Sequence, residues 1–265
     1  MDISTKNADR FTGFADTYDL ARPKMPLCPV EIITRYLGKK PGLVIDMGCG
    51  TGLSTVIWKD RCEQVIGVEP NDDMRAIAEQ KAGDNLSFIK AFAHETGLAS
   101  ACAEAVICSQ SFHWMNPDLT LKEINRILKN DGIFATVDCD WPPVCNWEAE
   151  KAYLELFKAV AVIEEENIDL KDSFTRWDKK KHLQNIRDSG YFRYTRELVF
   201  SNTEVFDADR FIGIAISQGS LQGVLKKSPN LIEQDLKAFI ETIRRLFGGR
   251  NLKTDFGYRM RIGIK

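Results

Sequence analysis

The chain is poor in the residues that build metal centres and disulfide frameworks. It has three histidines (His94, His113, His182) and seven cysteines (Cys28, Cys49, Cys62, Cys102, Cys108, Cys139, Cys145). The cysteines are odd in number, scattered, and form no C-x-x-C pair, so neither a disulfide scaffold nor a bound structural metal is expected. No apolar run approaches the roughly eighteen residues that a membrane-spanning helix needs. The opening MDISTKNADRF lacks the apolar stretch of a signal peptide, which points to a cytoplasmic location. A basic excess is also missing. Against 36 Lys and Arg stand 38 Asp and Glu, a net charge of −2, so nothing draws the chain toward nucleic acid or an anionic membrane. Small molecules or other proteins are the expected partners. There is no internal repeat and no low-complexity linker.

What remains is an ordinary globular composition, 44% hydrophobic and 28% charged over 265 residues, enough for one large domain. Residues 26–37 (PLCPVEIITRYL) have helical spacing and stop at Gly38. Leu43–Met47 reads as a buried strand, with a helix expected from about Leu53 to Lys59. Gln64–Val68 is a second strand and Asp72–Lys81 a helix with two acids in its first turn, where the helix dipole favours them. Leu86–Lys90, Glu104–Ser109 and Gly132–Asp138 are further strands, and Leu119–Leu128 is an amphipathic helix. Alternation at this spacing implies a parallel sheet covered on both faces. After residue 140 it stops. Trp147–Ile163, Lys179–Ser189 and most of Ala208–Phe247 read as helical, and Phe192–Val205 and Tyr258–Ile264 as strands extending the sheet edge. The expected whole is one compact α/β domain with a doubly wound, mostly parallel sheet. Residues 1–140 form its core, and residues 141–265 add helical insertions and the last two strands.

The densest signal is VIDMGCGTGLS, Val44–Ser54, where Gly48, Gly50 and Gly52 follow a strand. Ligands of parallel sheets sit beyond the carboxyl ends of the strands, and glycine lets the backbone take positive φ and lie against a ligand. A dinucleotide turn needs its third glycine where this chain has Leu53, and Asp46 would repel a pyrophosphate. An acid before the turn suits a cationic ligand without phosphate. Glu69, at the end of the second strand, stands where an acid accepts hydrogen bonds from ribose hydroxyls. A positively charged nucleoside lacking phosphate describes S-adenosylmethionine.

At these residues the chain resembles the class I S-adenosylmethionine-dependent methyltransferases, whose fold is a Rossmann-like seven-stranded sheet. VIDMGCGTG is similar to their first motif and VIGVEPNDDM, Val65–Met74, to the segment carrying the ribose acid. FADTYDLARPKMP, Phe14–Pro26, and SFHWMN, Ser111–Asn116, resemble the type 11 branch of small-molecule methyltransferases similar to trans-aconitate methyltransferase. The resemblance covers residues 10–140. It implies that Asp46 and the backbone of Gly48, Gly50 and Gly52 hold the methionyl part, with Gly52 opening a helix and Cys49 packed within the turn. Glu69 would take the ribose, and Pro70 and Met74 would pack on the adenine. Ala93 and His94 fall where the family faces the adenine edge, with Glu95 displaced by one. Ser109 and Gln110 would line the methionyl side. Tyr18 and Arg22 would close over the cofactor, Arg22 toward its carboxylate.

Methyl transfer from a sulfonium is an in-line displacement from an excellent leaving group, so positioning dominates. A base is needed only where the acceptor carries a weakly acidic proton. His113 has two readings, a base or donor for the acceptor and a packing residue beside Trp114. Trp141, Trp147, Phe157, Phe174 and Trp177 are expected in the core of the added helices or lining the acceptor site. Lys179–Lys181 is expected on a solvated helix face. Residues 141–190 and 206–258, with apolar stripes at Leu154, Phe157, Val160 and Ala161 and at Leu236, Phe239, Ile240 and Ile243, are expected to fold over the methyl group as a lid. The implied activity is methyl transfer to a small molecule. A non-catalytic S-adenosylmethionine-binding module and an RNA methyltransferase are the alternatives.

Overall fold

The structure, a computed structural model, describes residues 3–171 and 174–265. Its frame is a seven-stranded sheet of order β3-β2-β1-β4-β5-β7-β6. The strands are β1 (Leu43–Met47), β2 (Gln64–Val68), β3 (Leu86–Ile89), β4 (Ala103–Ser109), β5 (Leu128–Cys139), β6 (Tyr194–Phe206) and β7 (Leu252–Ile264). The first five run parallel, and β7 inserts antiparallel between β5 and β6. Reversal between β1 and β2 on one side and β4 on the other creates the crevice where such sheets bind ligands.

Side-chain alternation along the strands feeds two cores. Val44, Ala105, Ile107, Ile133, Ala135 and Val137 face one layer, and Ile45, Met47, Val106, Cys108 and Phe134 face the other. The first layer includes α3 (Cys28–Leu37), which buries Val30 and Ile33 and ends at Gly38 with φ 68°. The second includes α5 (Pro117–Ile127), capped by the Asn116 side chain accepting from Leu119 N, and α8 (His182–Asp188). Two short helices, α1 (Ile3–Asp9) and α2 (Ala15–Ala21), precede α3, and α4 (Asp72–Glu79) follows β2.

The helix expected over Leu53–Lys59 is reduced to a single 3-10 turn, Val56–Trp58. Three consecutive β-branched residues, Thr55, Val56 and Ile57, disfavour regular helix there. The Ser54 and Thr55 hydroxyls are moreover turned back to Asp46. Strand β7 begins at Leu252, earlier than its apolar pattern suggested, because β6 supplies a partner along its whole length.

The insertions are helical: α6 (Trp147–Glu166), α7 (Ile168–Lys171), α9 (Ala208–Ile216), α10 (Gly219–Lys227) and α11 (Glu233–Phe247). Their apolar stripes bury against one another and the sheet. Tyr153, Leu156 and Val160 of α6 and Phe239, Ile243 and Phe247 of α11 join the same buried cluster. Tyr153 meets Phe239 edge-on at 6.4 Å, and Phe211 of α9 packs on both Phe239 and Phe247. Leu154, placed in the stripe from its spacing, lies on the outer side at 56% exposure. Phe239→Ala is therefore expected to cost about 3–5 kcal/mol in urea unfolding. Leu154→Ala should change the same measurement by no more than about 0.5 kcal/mol.

Candidate active site

The site is built at the carboxyl ends of β1, β2, β4 and β5. Behind β1 the chain takes positive φ at Gly48 (64°), Gly50 (56°) and Gly52 (83°). At Gly48 the turn lies flat against its neighbours, since a Cβ there would sit 2.6 Å from Met115 Cε and 2.7 Å from Ser111 Cβ. At Gly50 a Cβ would meet nothing within 4 Å, so that backbone is open to the cavity in front of it. The cavity is bordered by Gly48, Cys49, Gly50 and Glu69, by Pro70 and Met74 of the segment leading into α4, and by Ser109 and Gln110 at the end of β4. Ala93 and His94 close one end, where the His94 ring stacks on Phe92 at 5.6 Å. Tyr18 and Arg22 close the other. These expected positions therefore converge on one cavity, whereas Glu95 stays at the surface.

Asp46 and Gly52 do not reach it. Asp46 is fully buried, and its Oδ2 accepts from Ser54 Oγ and Thr55 Oγ1, both at 2.7 Å. It holds the turn from behind through Oδ2, while Oδ1 is buried without a hydrogen-bond partner among the described residues. Burial lifts its carboxyl to about 6, the two hydroxyls pulling the other way. Gly52 turns its Cα toward Phe88, whose ring would lie 3.0 Å from a Cβ, and no α-helix opens there.

Glu69 is the carboxylate in the wall. Oε2 accepts from Gly50 N (2.9 Å) and Oε1 from Asn71 N (2.8 Å), so each oxygen keeps a lone pair for a ligand hydroxyl. Burial raises it to about 7, against the opposing pull of those backbone N–H groups. Arg22 is also buried. Its guanidinium donates to Ser217 O (2.9 Å) and Gln218 Oε1 (3.1 Å), both neutral, lies 4.6 Å over the Tyr18 ring, and leaves Nε without a partner. Among the described residues it has no carboxylate partner.

Helix α1 crosses the same cavity, which its pattern did not reveal. Asn7 is buried and fully engaged: Nδ2 donates to Trp114 O (2.7 Å) and Thr175 O (2.8 Å), and Oδ1 accepts from Thr175 N (2.9 Å). Asn71, which caps α4, donates from Nδ2 to Ala8 O and Thr12 Oγ1. Lys81 ties Asp19 of α2 to Thr51 O of the glycine turn. The N-terminal segment is thus fastened across the site at both ends.

A second cavity of about 1010 Å³ adjoins the first, sharing Phe11, Tyr18, Arg22, Gln110, Trp114 and Trp141. His113 borders this one and not the first. So do Arg176, Trp177 and Lys179 from the first insertion and Gln218–Ser220 from the second. Both insertions thus wall this cavity, through loop and helix-end residues instead of the apolar stripes. Trp141 and Trp177 line it, Phe174 packs edge-on against Trp114, Phe157 stacks on Tyr153, and Trp147 is exposed. Lys179, expected on a solvated face, turns inward and reaches Asp138 Oδ1 (3.2 Å) and Gln110 Oε1 (3.1 Å). Asp138 escaped the sequence reading, although an acid ending a buried strand beside the cofactor strands was a usable signal.

Five parallel strands with an antiparallel strand inserted before the edge, a glycine turn after β1 and an acid one strand away make up the class I methyltransferase fold. Comparison with known proteins agrees. Residues 45–136 match the methyltransferase domain family. CRG1 of Saccharomyces cerevisiae, assigned to the S-adenosylmethionine-dependent methyltransferases, is 32% identical over 44% of this chain and 43% of its own length. The chain therefore spans less than half of that relative. A type II methyltransferase structure from Anaeromyxobacter dehalogenans superposes over 92% of this chain and 97% of its own, with a TM-score of 0.64 at 21% identity. Phospholethanolamine N-methyltransferase 2 of Haemonchus contortus, solved with phosphomonomethylethanolamine and S-adenosylhomocysteine, superposes over all of this chain and 60% of its own (TM-score 0.58, 14% identity). Residues 45–136 of the chain thus match a methyltransferase domain, set in the fold of solved methyltransferase structures.

The raised carboxyl of Glu69 has a consequence for stability. A carboxyl raised on folding contributes fully below its unfolded value of about 4.3. That contribution is lost as pH climbs through about 7. Without cofactor, the wild type should therefore lose stability relative to Glu69→Gln as pH rises from 5 to 8, read from urea midpoints at each pH.

Proposed function

We propose that the chain transfers the methyl group of S-adenosylmethionine to a small molecule held in the second cavity. One observation carries this reading: the cofactor cavity and the larger cavity meet at a shared wall of Tyr18, Arg22, Gln110, Trp114 and Trp141. A donor on one side and an acceptor on the other would face each other there. When bound, the sulfonium supplies a methyl group and an excellent leaving group. The residues do the rest by positioning.

The open backbone at Gly50 admits the methionyl chain, with Ser109 and Gln110 along its other side. Glu69 accepts from the ribose hydroxyls through its free lone pairs. Pro70 and Met74 pack on the adenine, with Ala93 and His94 at its edge. Arg22, a buried cation among neutral partners, gains a counter-ion when it meets the cofactor carboxylate. His113 faces the acceptor, not the cofactor. A cavity walled by both insertions suits a small molecule better than a nucleic-acid strand, in keeping with the net charge of −2.

Gly50→Val should abolish cofactor binding in calorimetry while the circular dichroism spectrum is retained, because a β-branched residue is strained at φ 56° and intrudes on the ligand. Cofactor affinity of the wild type should rise from pH 6 to pH 8 with proton release near pH 7, since ribose hydroxyls favour the ionised Glu69. Glu69→Gln should lose that dependence. Incubation with S-adenosylmethionine and a metabolite library should form S-adenosylhomocysteine. Trp177→Ala, which touches only the second cavity, should change the preferred acceptor and leave cofactor affinity unaltered. Cofactor binding with no turnover across the library would instead favour a non-catalytic module.

A further inference from the structure

The floor of the second cavity holds a cluster of charged groups drawn from five parts of the chain. Asp138, from the end of β5, is buried at its centre. Its Oδ2 accepts from Arg261 (2.7 Å), on β7, and lies 3.0 Å from His182 Nδ1, on α8. Its Oδ1 faces Lys179 Nζ at 3.2 Å and His113 Nδ1 at 3.7 Å. Arg261 is fixed in turn by Glu197 of β6 at 2.8 Å. Two histidines and an acid suggest a metal centre, but Arg261 and Lys179 already neutralise the acid, and among the described residues no group is placed to hold a metal ion.

The cluster is asymmetric. Oδ2 is saturated by well-made contacts. On Oδ1 two donors compete, and the lysine is closer. His113 Nδ1 is left buried without a hydrogen bond, although the ring borders the cavity. The charged groups facing that ring are Asp138, Lys179, His182 and Arg176. Burial first, and the Lys179 charge second, push the imidazole well below its ordinary value, with Asp138 opposing them. Burial also pushes the Asp138 carboxyl upward, but Lys179 and the histidines bring it below the usual carboxylate range. The ring is therefore neutral and the acid ionised. A neutral imidazole with Nδ1–H toward a fixed carboxylate presents an Nε2 lone pair on its other side.

We propose that His113 is the base of an acceptor bearing a hydroxyl or amine proton, that Asp138 is the positioning residue that orients it, and that Lys179, competing for the same oxygen, sets its strength. As the acceptor oxygen or nitrogen bonds to the methyl carbon, the carbon–sulfur bond breaks and its electron pair stays on sulfur as the neutral thioether. The acceptor proton passes to His113 Nε2 and from there to solvent. A carboxylate acceptor has no such proton and would leave His113 idle. The proposal rests on the second cavity being the acceptor site.

The test is a titration of the histidine rings by nuclear magnetic resonance on the full chain, with the His113 signal identified by its loss in His113→Gln. Lys179→Met should shift the His113 midpoint upward, further than it shifts His94, and Lys179→Arg should keep the wild-type midpoint. Lys179 is partly exposed, so these variants should fold even where Asp138→Asn does not. A His113 midpoint that Lys179→Met leaves in place overturns the gating of the base. With any acceptor that is turned over, His113→Gln should lose activity at neutral pH and regain it at high pH, where the acceptor ionises unaided. A pH profile identical to that of wild type overturns the base assignment. S-adenosylmethionine binding is measured by calorimetry on the same samples. Its absence would defeat the methyltransferase reading, and its presence beside an unmoved His113 would defeat only this one.

Discussion

Everything at the site depends on how the chain leaves β1. A backbone that takes positive φ three times in five residues has no repeating ladder of its own; Gly48 N and Cys49 N donate to Val68 O, and side chains secure the rest. Asp46 does this from within the sheet, taking the hydroxyls of Ser54 and Thr55 on one oxygen. Ser111, from the loop after β4, adds a bond to Met47 O. Gly48 permits the contact because any side chain there would collide with Ser111 and Met115. The unfavourable burial of Asp46, visible in its raised carboxyl, is the cost of a turn that stays open where Gly50 meets the cavity.

Around that turn the fold adds closures from outside the parallel sheet. The N-terminal helices are fastened by Asn7, Asn71 and Lys81, each a polar side chain satisfying backbone or carboxylate partners on another element. The insertions contribute in two different ways. Their apolar stripes bury one another and thicken the outer layer, whereas their connecting residues, Arg176 to Lys179 and Gln218 to Ser220, wall the second cavity. The packed core and the wall of the second cavity are thus supplied by different residues of the same segments. Substitution in one set need not disturb the other.

The pattern along the chain was legible wherever structure is local. Strands β1, β2 and β4 and helices α3, α5 and α6 declare themselves by period and caps. Their ends moved where a partner extended them, as in β7, or where side chains turned back on the backbone, as after Ser54. That Gly48, Gly50 and Glu69 would border one cavity was legible for the same reason. Gly48, Gly50 and Glu69 sit at successive strand ends, and a strand end is a position that spacing can locate. Asp46 ends the same strand but is buried behind the turn, because the Ser54 and Thr55 hydroxyls fold back onto it.

By itself, the sequence determined the class of sheet, the glycine turn and the acid one strand away, since each rests on neighbours within a few residues. Only the tertiary structure decided what lines the second cavity. Arg261 and Asp138 lie 123 positions apart yet share a hydrogen bond, and Lys179 joins them from a lysine run that reads as solvated surface. Such a cluster exists only because β7 inserts beside β5 and the first insertion returns over their ends. No period in a linear sequence records a meeting of side chains brought together by sheet order.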